Sequence, residues 1–422
     1  MLVNSAFTKA INNHSQLITM HTKTHYQSVS QLTIALFLAL IAFAGAVNAN
    51  TGEVAEGNQS NIAMGVAAPE IAASAWALME AKSGWVVAGF KADQPMAPAS
   101  ITKLMTTYVV FDELEQGRIN LADSVSISEK AWRSEGSRMF ADVNTTIELE
   151  HLLKSTIVQS GNDAAIALAE HVSGSEQRFA NLMNQHANQI GLQHSNFANS
   201  TGLPAPGHQM SPVDILKLSA AIITDFPTYY PWYAIKEYEH NNIRQYNRNK
   251  LLWKNMGVDG LKTGHTEEAG YCLVASAERF GERWIAVVMG TESERVREAQ
   301  ISKLLDFGFN GFEVTEVLQD QTGVAQAVVY GGQTDVVRLK PQNPVYVALP
   351  RGRLNDLDIR FQMAPEFEAP IQISQSMGVA SLYLDGELLQ DVPLVAMSEI
   401  PEGGLLKRLF DSIKRSVLNL FK

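Results

Sequence analysis

Three short polar signatures lie far apart in the chain but read as parts of one site, and bringing them together is the strongest constraint on the fold. Ser100-Ile101-Thr102-Lys103 is followed about 60 residues later by Ser160-Gly161-Asn162, and about 100 residues further on by Lys262-Thr263-Gly264. Each alone is short enough to arise by chance. In this order and at this spacing they describe an active site in which a serine attacks an amide and keeps the acyl group.

Ser100 and Lys103 stand three residues apart, so one helical turn places both side chains on the same face. A serine hydroxyl is a poor nucleophile until a neighbour takes its proton, and a neutral lysine amine can do so. Free lysine has a pKa near 10.4, so neutrality at pH 7 requires a fall of roughly 3.4, or about 4–5 kcal/mol. Burial supplies falls of this size, and a second cation nearby pushes the same way. Lys262 is the candidate for that cation, giving one neutral base and one charged binder; only the assignment of Lys103 follows from adjacency. Ser160 and Asn162 alternate around Gly161, which suits a hydroxyl that relays a proton to the leaving amine and an amide that holds substrate backbone. Lys262-Thr263-Gly264 falls at the end of a strand, where Gly264 lets a substrate backbone lie alongside. The backbone N–H groups of Ser100 and His265 are natural oxyanion donors. His265 itself reads either as a cleft-lining side chain or as a position used only through its backbone.

A chain of 422 residues predicts two domains. Ala75–Glu80 and Val86–Gly89 read as a hairpin, Ser100 to Leu114 as a helix, and Thr145 or Thr146 to Val172 as a helical stretch with the Ser160 motif at its bend. Ser175–Ile190, Ser211–Ile223 and Glu292–Phe307 read as further helices. Asp259–Thr263, Gly270–Glu278 and Trp284–Met289 read as strands. Strands at both ends with helices between predict one α/β unit whose central sheet uses both termini. From about Val314 the texture changes to short β-rich runs, at 325–329, 335–339, 344–348, 356–361, 371–375 and 380–385, which predicts a small all-β domain. Net charge of −11 argues against a nucleic-acid surface. The single cysteine, Cys272, cannot form an internal disulfide or build a metal site alone, and reads as a small buried apolar residue. No metal or cofactor is implied.

The two ends carry their own signals. Leu32 to Val47 is an uncharged apolar run followed by small residues, with Val47-Asn48-Ala49 fitting a cleavage site. Residues 1–49 read as a signal peptide, with Met20 as an alternative start and an uncleaved N-terminal anchor as the other reading. At the far end, Leu405, Leu406, Leu409, Phe410, Ile413, Val417, Leu420 and Phe421 share one helical arc, while Lys407, Arg408, Lys414, Arg415 and Lys422 fill or border the other. After the Gly403-Gly404 hinge, residues 403–422 read as an in-plane anchor drawn to anionic membrane lipid, or else as a terminal helix packed on its own domain.

Together, the S-x-x-K, S-x-N and K-T-G signatures resemble those of penicillin-binding proteins and class A β-lactamases. Gly161 stands where the common S-D-N pattern has Asp. The likeness extends along Pro98–Thr106, Gln159–Ala164, Asn241–Gln245 and Val258–Thr266, and is closest to the low-molecular-mass D-alanyl-D-alanine carboxypeptidases, the penicillin-binding protein 5 and 6 group. The resemblance implies a transpeptidase-like α/β (α+β) domain over 62–312 with a central antiparallel sheet, an all-β domain over 313–399 and the C-terminal helix. It implies removal of the terminal D-alanine from the peptidoglycan stem pentapeptide: Ser100 as nucleophile, Lys103 as base, Ser160 as relay, with β-lactams as covalent inhibitors. It places Arg248 and Arg297, alongside Thr263, at the substrate carboxylate, where an arginine fork suits the geometry. The implied location is the periplasmic face of the inner membrane.

Three rivals share parts of this reading. A class A β-lactamase uses a glutamate in the loop after the second motif, and between Glu176 and Glu237 this chain has none. A D,D-endopeptidase differs only in what fits the leaving-group side. A non-catalytic cell-wall binder would have no need of Ser100 or Lys103.

Overall fold

The structure, a computed structural model, describes residues 66–420, so the leader expected over 1–49 lies outside the described residues. A hairpin of β1 (Ala75–Glu80) and β2 (Val86–Phe90) leads into a 3-10 turn at Ala99–Thr102 and then α1 (Lys103–Glu115). After a small ribbon come α2 (Leu149–Val158), α3 (Asn162–Ser173), α4 (Glu176–Gln189) and α5 (Pro212–Asp225). An exposed hairpin over 237–246 precedes β3 (Val258–Thr266), β4 (Gly270–Arg279), β5 (Glu282–Thr291) and α6 (Glu294–Gly311). The five strands form one antiparallel sheet in the order β2-β1-β5-β4-β3, so the first hairpin joins the last three strands as expected, and β3 is left as an edge.

Alternation along these strands explains why their sequences are apolar almost throughout. Ala77 and Met79, Cys272 and Val274, and Ile285 and Val287 face a core shared with α1 to α5. Trp76 and Leu78, Leu273 and Ala275, and Trp284 and Ala286 face a second core shared with Ile301, Leu304 and Leu305 of α6. A sheet buried on both faces cannot show the polar–apolar alternation of a half-exposed one. Helix α1 is buried all round from Leu104 to Phe111, which fixes the turn before it against the sheet. Cys272 is buried as expected, and burial pushes its thiol up to about 11.

The stretch expected as one bent helix divides in two. Residues 146–148 pair as a short strand, and the chain leaves α2 at Ser160, whose φ of 67° no helix continues. Among the later strands, the expected 371–375 run is instead a turn closed by Gln372 and Gln375, with a single bridge from Ile371 to Ile400. Pro393 hid the strand Glu387–Ala396, a central member of a six-stranded sheet over the third core.

The final helix, α7 (Leu405–Leu420), lies with its polar side on this β-rich region. Asp411 accepts from the Gly331 N–H, Lys407 pairs with Asp335 and Asp411, and Arg415 pairs with Glu366 and Glu368. Arg408 pairs with Glu402 just before the hinge. These basic residues, expected to face lipid, are matched by carboxylates of the protein. The apolar arc points outward instead, with Leu405 78% and Phe410 70% exposed. Among the described residues no helix is long and apolar enough to cross a membrane.

Candidate active site

All three signatures meet at one cleft of about 410 Å³, between the free edge of β3, the turn before α1 and the junction of α2 and α3. Ser100, Ser160, Asn162, Thr263, Gly264, His265, Arg248 and Arg297 line it, and Lys103 and Lys262 are buried beneath.

Lys103 is the centre of the arrangement. Its Nζ donates to Asn162 Oδ1 at 2.7 Å and to the Thr201 carbonyl at 2.6 Å, and lies 3.0 Å from Ser100 Oγ. Both first partners can only accept. A neutral amine has two N–H donors and one lone pair, so satisfying them aims the lone pair at the serine hydroxyl. Burial pushes Lys103 down to about 7; the Asp163 carboxylate opposes this and Arg248 assists it. Arg248 is thus a second cation acting on Lys103, beside the Lys262 that the sequence suggested, whose repulsion with Lys103 is mutual. Lys262 is itself driven well below the ordinary lysine range by burial, with Lys103, Arg248 and Arg297 adding to the effect. Its Nζ donates to the Thr263 carbonyl at 3.0 Å.

The second signature is held from both sides. Asp163 accepts from the N–H groups of Met139, Phe140 and Ala141, tying a loop across the front of α3. Asn162 donates through Nδ2 to the Glu135 carbonyl while its Oδ1 serves Lys103, so its amide, expected to hold substrate, is engaged within the protein. Ser160 keeps its left-handed backbone, and its buried Oγ has no hydrogen-bond partner among the described residues. Strained backbone of this kind costs about 1–3 kcal/mol and persists where the surroundings impose it. A Cβ on Gly161 would sit 2.6 Å from Ser155 Oγ and 3.0 Å from Asp163 Oδ1, so the aspartate of the commoner pattern would require the Ser155 hydroxyl to turn aside.

Gly264 has a role the sequence did not suggest. A Cβ there would meet the Pro98 carbonyl at 2.7 Å and Ile101 N at 3.3 Å, so the close approach is by the nucleophile's own turn. His265 projects at the cleft rim with its ring 4.0 Å from that of Tyr271, and its backbone lies on the edge strand. Arg248 is exposed and donates through Nε to the Gln159 carbonyl at 3.1 Å. Arg297 is buried behind Tyr271, 3.5 Å from Glu294, and its Nε has no hydrogen-bond partner among the described residues.

Sequence reasoning missed the loop 199–203. Glu176 accepts from the Ser200 N–H and hydroxyl, and Asn199 Oδ1 accepts from the N–H groups of Thr201 and Gly202. This clamp delivers the Thr201 carbonyl to Lys103. The run Asn199-Ser200-Thr201-Gly202, rich in turn-forming residues, was the available signal.

Comparison with known proteins gives the family and the fold. Residues 62–293 match the family model for D-alanyl-D-alanine carboxypeptidase, and residues 312–402 match that for the penicillin-binding protein 5 C-terminal domain. The chain belongs to the D-alanyl-D-alanine carboxypeptidase family. The carboxypeptidase DacA of Haemophilus influenzae is 39% identical over 363 residues, covering 85% of this chain and 92% of that protein. DacC of Escherichia coli is 40% identical over 357 residues, covering 82% and 89%. The crystal structure of penicillin-binding protein 5 from Haemophilus influenzae superimposes with a TM-score of 0.77 at 39% identity, covering 80% of this chain and all of that one. The penicillin-binding fold, an α/β domain with an antiparallel sheet followed by an all-β domain, is thus shared with these carboxypeptidases.

Proposed function

We propose that this protein is a serine D-alanyl-D-alanine carboxypeptidase that removes the terminal D-alanine from peptidoglycan stem pentapeptides. The observation that carries the reading is the saturated environment of Lys103, which leaves one lone pair, 3.0 Å from Ser100 Oγ. Lys103 takes the Ser100 proton as Oγ attacks the penultimate D-alanine carbonyl carbon. The oxyanion is received by the backbone N–H groups of Ser100 and His265. On collapse the C–N bond breaks, and the proton returns from Lys103 through Ser160 Oγ to the departing amine. The unpartnered Ser160 hydroxyl suits that task. Water then hydrolyses the ester, and a β-lactam, whose amine remains tethered, blocks it.

The leaving residue ends in a carboxylate. Arg248 and Arg297, with Lys262 and Thr263, surround the end of the cleft where it would lie. A carboxylate arriving beside Lys262 supplies an opposite charge there, so substrate binding favours its protonated form. The edge of β3, flanked by Gly264, offers backbone groups to an extended peptide.

The outward apolar arc of α7 fits insertion into the surface of a membrane, placing the enzyme at the outer face of the inner membrane after export. We assign residues 62–312 to the peptidase domain, 313–399 to the all-β domain and 403–422 to the anchor. Incubation with fluorescent penicillin should give a covalent band that Ser100→Ala abolishes. A band that persists in the variant would remove Ser100 from the role of nucleophile.

A further inference from the structure

His208 follows a proline-rich loop and belongs to none of the three signatures, yet it is 7% exposed and reaches the turn that carries Ser100. Its Nδ1 lies 3.0 Å from the Ala198 backbone N–H, and its Nε2 lies 2.7 Å from Thr102 Oγ1. The Ala198 N–H can only donate, so Nδ1 is the nitrogen with the lone pair and the ring proton sits on Nε2. His208 therefore donates to Thr102, and the Thr102 hydroxyl spends its single proton on the Ala99 carbonyl at 2.8 Å. Every direction in this chain is fixed by its first donor.

The far end of the chain is the unusual part. Ala99 immediately precedes Ser100 and holds a φ of 47°, in the left-handed region that an alanine adopts only when its surroundings impose it. Gly202 lies against the Ala99 carbonyl, and Gly264 lies against the same turn at Pro98, the Ala99 Cβ and Ile101. The edge-to-face contact of the His208 ring with Phe197, at 6.0 Å, keeps the imidazole in place. Burial, with Lys103 nearby, pushes His208 down to about 4, so it stays in this neutral form across the working range of the enzyme.

We infer that His208 is a positioning residue for acylation, holding the Ala99–Ser100 peptide in its productive orientation through Thr102. The inference rests on Ser100 being the nucleophile. Without the Nε2–H donor, the Thr102 hydroxyl is free to turn away and the Ala99 peptide relaxes toward ordinary φ. That movement carries the Ser100 N–H away from the developing oxyanion and Oγ away from Lys103. No bond to substrate is made by His208 at any stage.

Two pairs of variants test this in the full-length protein. His208→Gln reaches the Nε2 position with a carboxamide donor, whereas His208→Asn is too short to reach Thr102; both lose the ring, so both lose its packing. Thr102→Ser keeps the hydroxyl and Thr102→Val removes it at constant shape. The acylation rate constant at saturating fluorescent penicillin should fall roughly 10- to 100-fold in His208→Asn and Thr102→Val, and stay within about threefold of the parent in His208→Gln and Thr102→Ser. Unfolding midpoints should not separate Asn from Gln. Equal acylation in His208→Asn and His208→Gln, or in Thr102→Val and Thr102→Ser, overturns the inference. Labelling of Ser100→Ala, run alongside, would instead overturn the nucleophile on which it rests.

Discussion

Gly202 offers a direct way to ask whether the catalytic turn is held as tightly as its geometry implies. It has a φ of 83°, and a Cβ added there would fall well inside the contact distance of the Ala99 carbonyl oxygen and 2.8 Å from Thr102 Oγ1. Neither atom is the loose end of a flexible side chain. Alanine in the left-handed region costs about 1–2 kcal/mol in itself. Relieving the clash requires a movement on the order of 1 Å in the Ala99–Ser100 peptide, and misplacement of that size costs about 100-fold in rate. Gly191 supplies the control, with a φ of 74° and nothing within 4 Å of its Cβ position. Gly191→Ala should lose about 1–2 kcal/mol of stability by chemical denaturation, and Gly202→Ala more than that, because the clash adds to the same backbone cost. Only Gly202→Ala should lose about 100-fold in the second-order rate of labelling by fluorescent penicillin. If the two variants label within about twofold of each other, the turn yields without consequence and the reasoning about its confinement, set against a 100-fold expectation, is wrong.

Other consequences follow from the same site. Lys103 is held down to about 7 against 10.5 when unfolded, so acylation should rise with pH to a plateau above about 7; a flat profile from pH 5.5 to 9 would contradict this. Between those two values the unfolded chain binds a proton that the folded one does not, so this group's contribution to stability improves as pH rises and is least favourable below 7. Arg248→Ala should raise KM for a pentapeptide about 10- to 150-fold, the worth of a charge-assisted bond. It should also move the acidic limb of the pH profile upward, since Arg248 helps to hold Lys103 down; an unmoved limb would separate the two groups. Because Lys407, Arg408 and Arg415 are matched by carboxylates, washing membranes with 1 M salt should not release the protein, whereas Phe410→Glu should. Release by salt alone would restore the electrostatic reading of α7.

What could be read from the chain beforehand depended on distance along it. Ser100 and Lys103 share a helical turn, so their partnership was legible from spacing. The outward arc of α7 was legible from its period, and the two-domain texture from the change near Val314. Contacts made through space were hidden. Asn162 reaches Lys103 from another helix, Thr201 presents a backbone atom that no side-chain pattern reports, and Arg248 adds a cation beside Lys262 that spacing did not reveal. Gly264 was noticed for close approach, and the protein neighbour that approaches it is the Pro98 carbonyl of the nucleophile's own turn. Glycines report that something is near without reporting what. Basic residues on α7 were likewise visible as charges, while the carboxylates of residues 335, 366 and 368 that match them lie in another part of the chain.

The central claim is that Ser100, activated by Lys103, releases one D-alanine from a pentapeptide. Mass spectrometry of a stem pentapeptide incubated with the full-length protein tests it most directly. The expected product is the tetrapeptide, lighter by a single alanine residue, formed by the parent and absent with Ser100→Ala. An unchanged pentapeptide with the parent, or the same tetrapeptide with Ser100→Ala, would contradict the account.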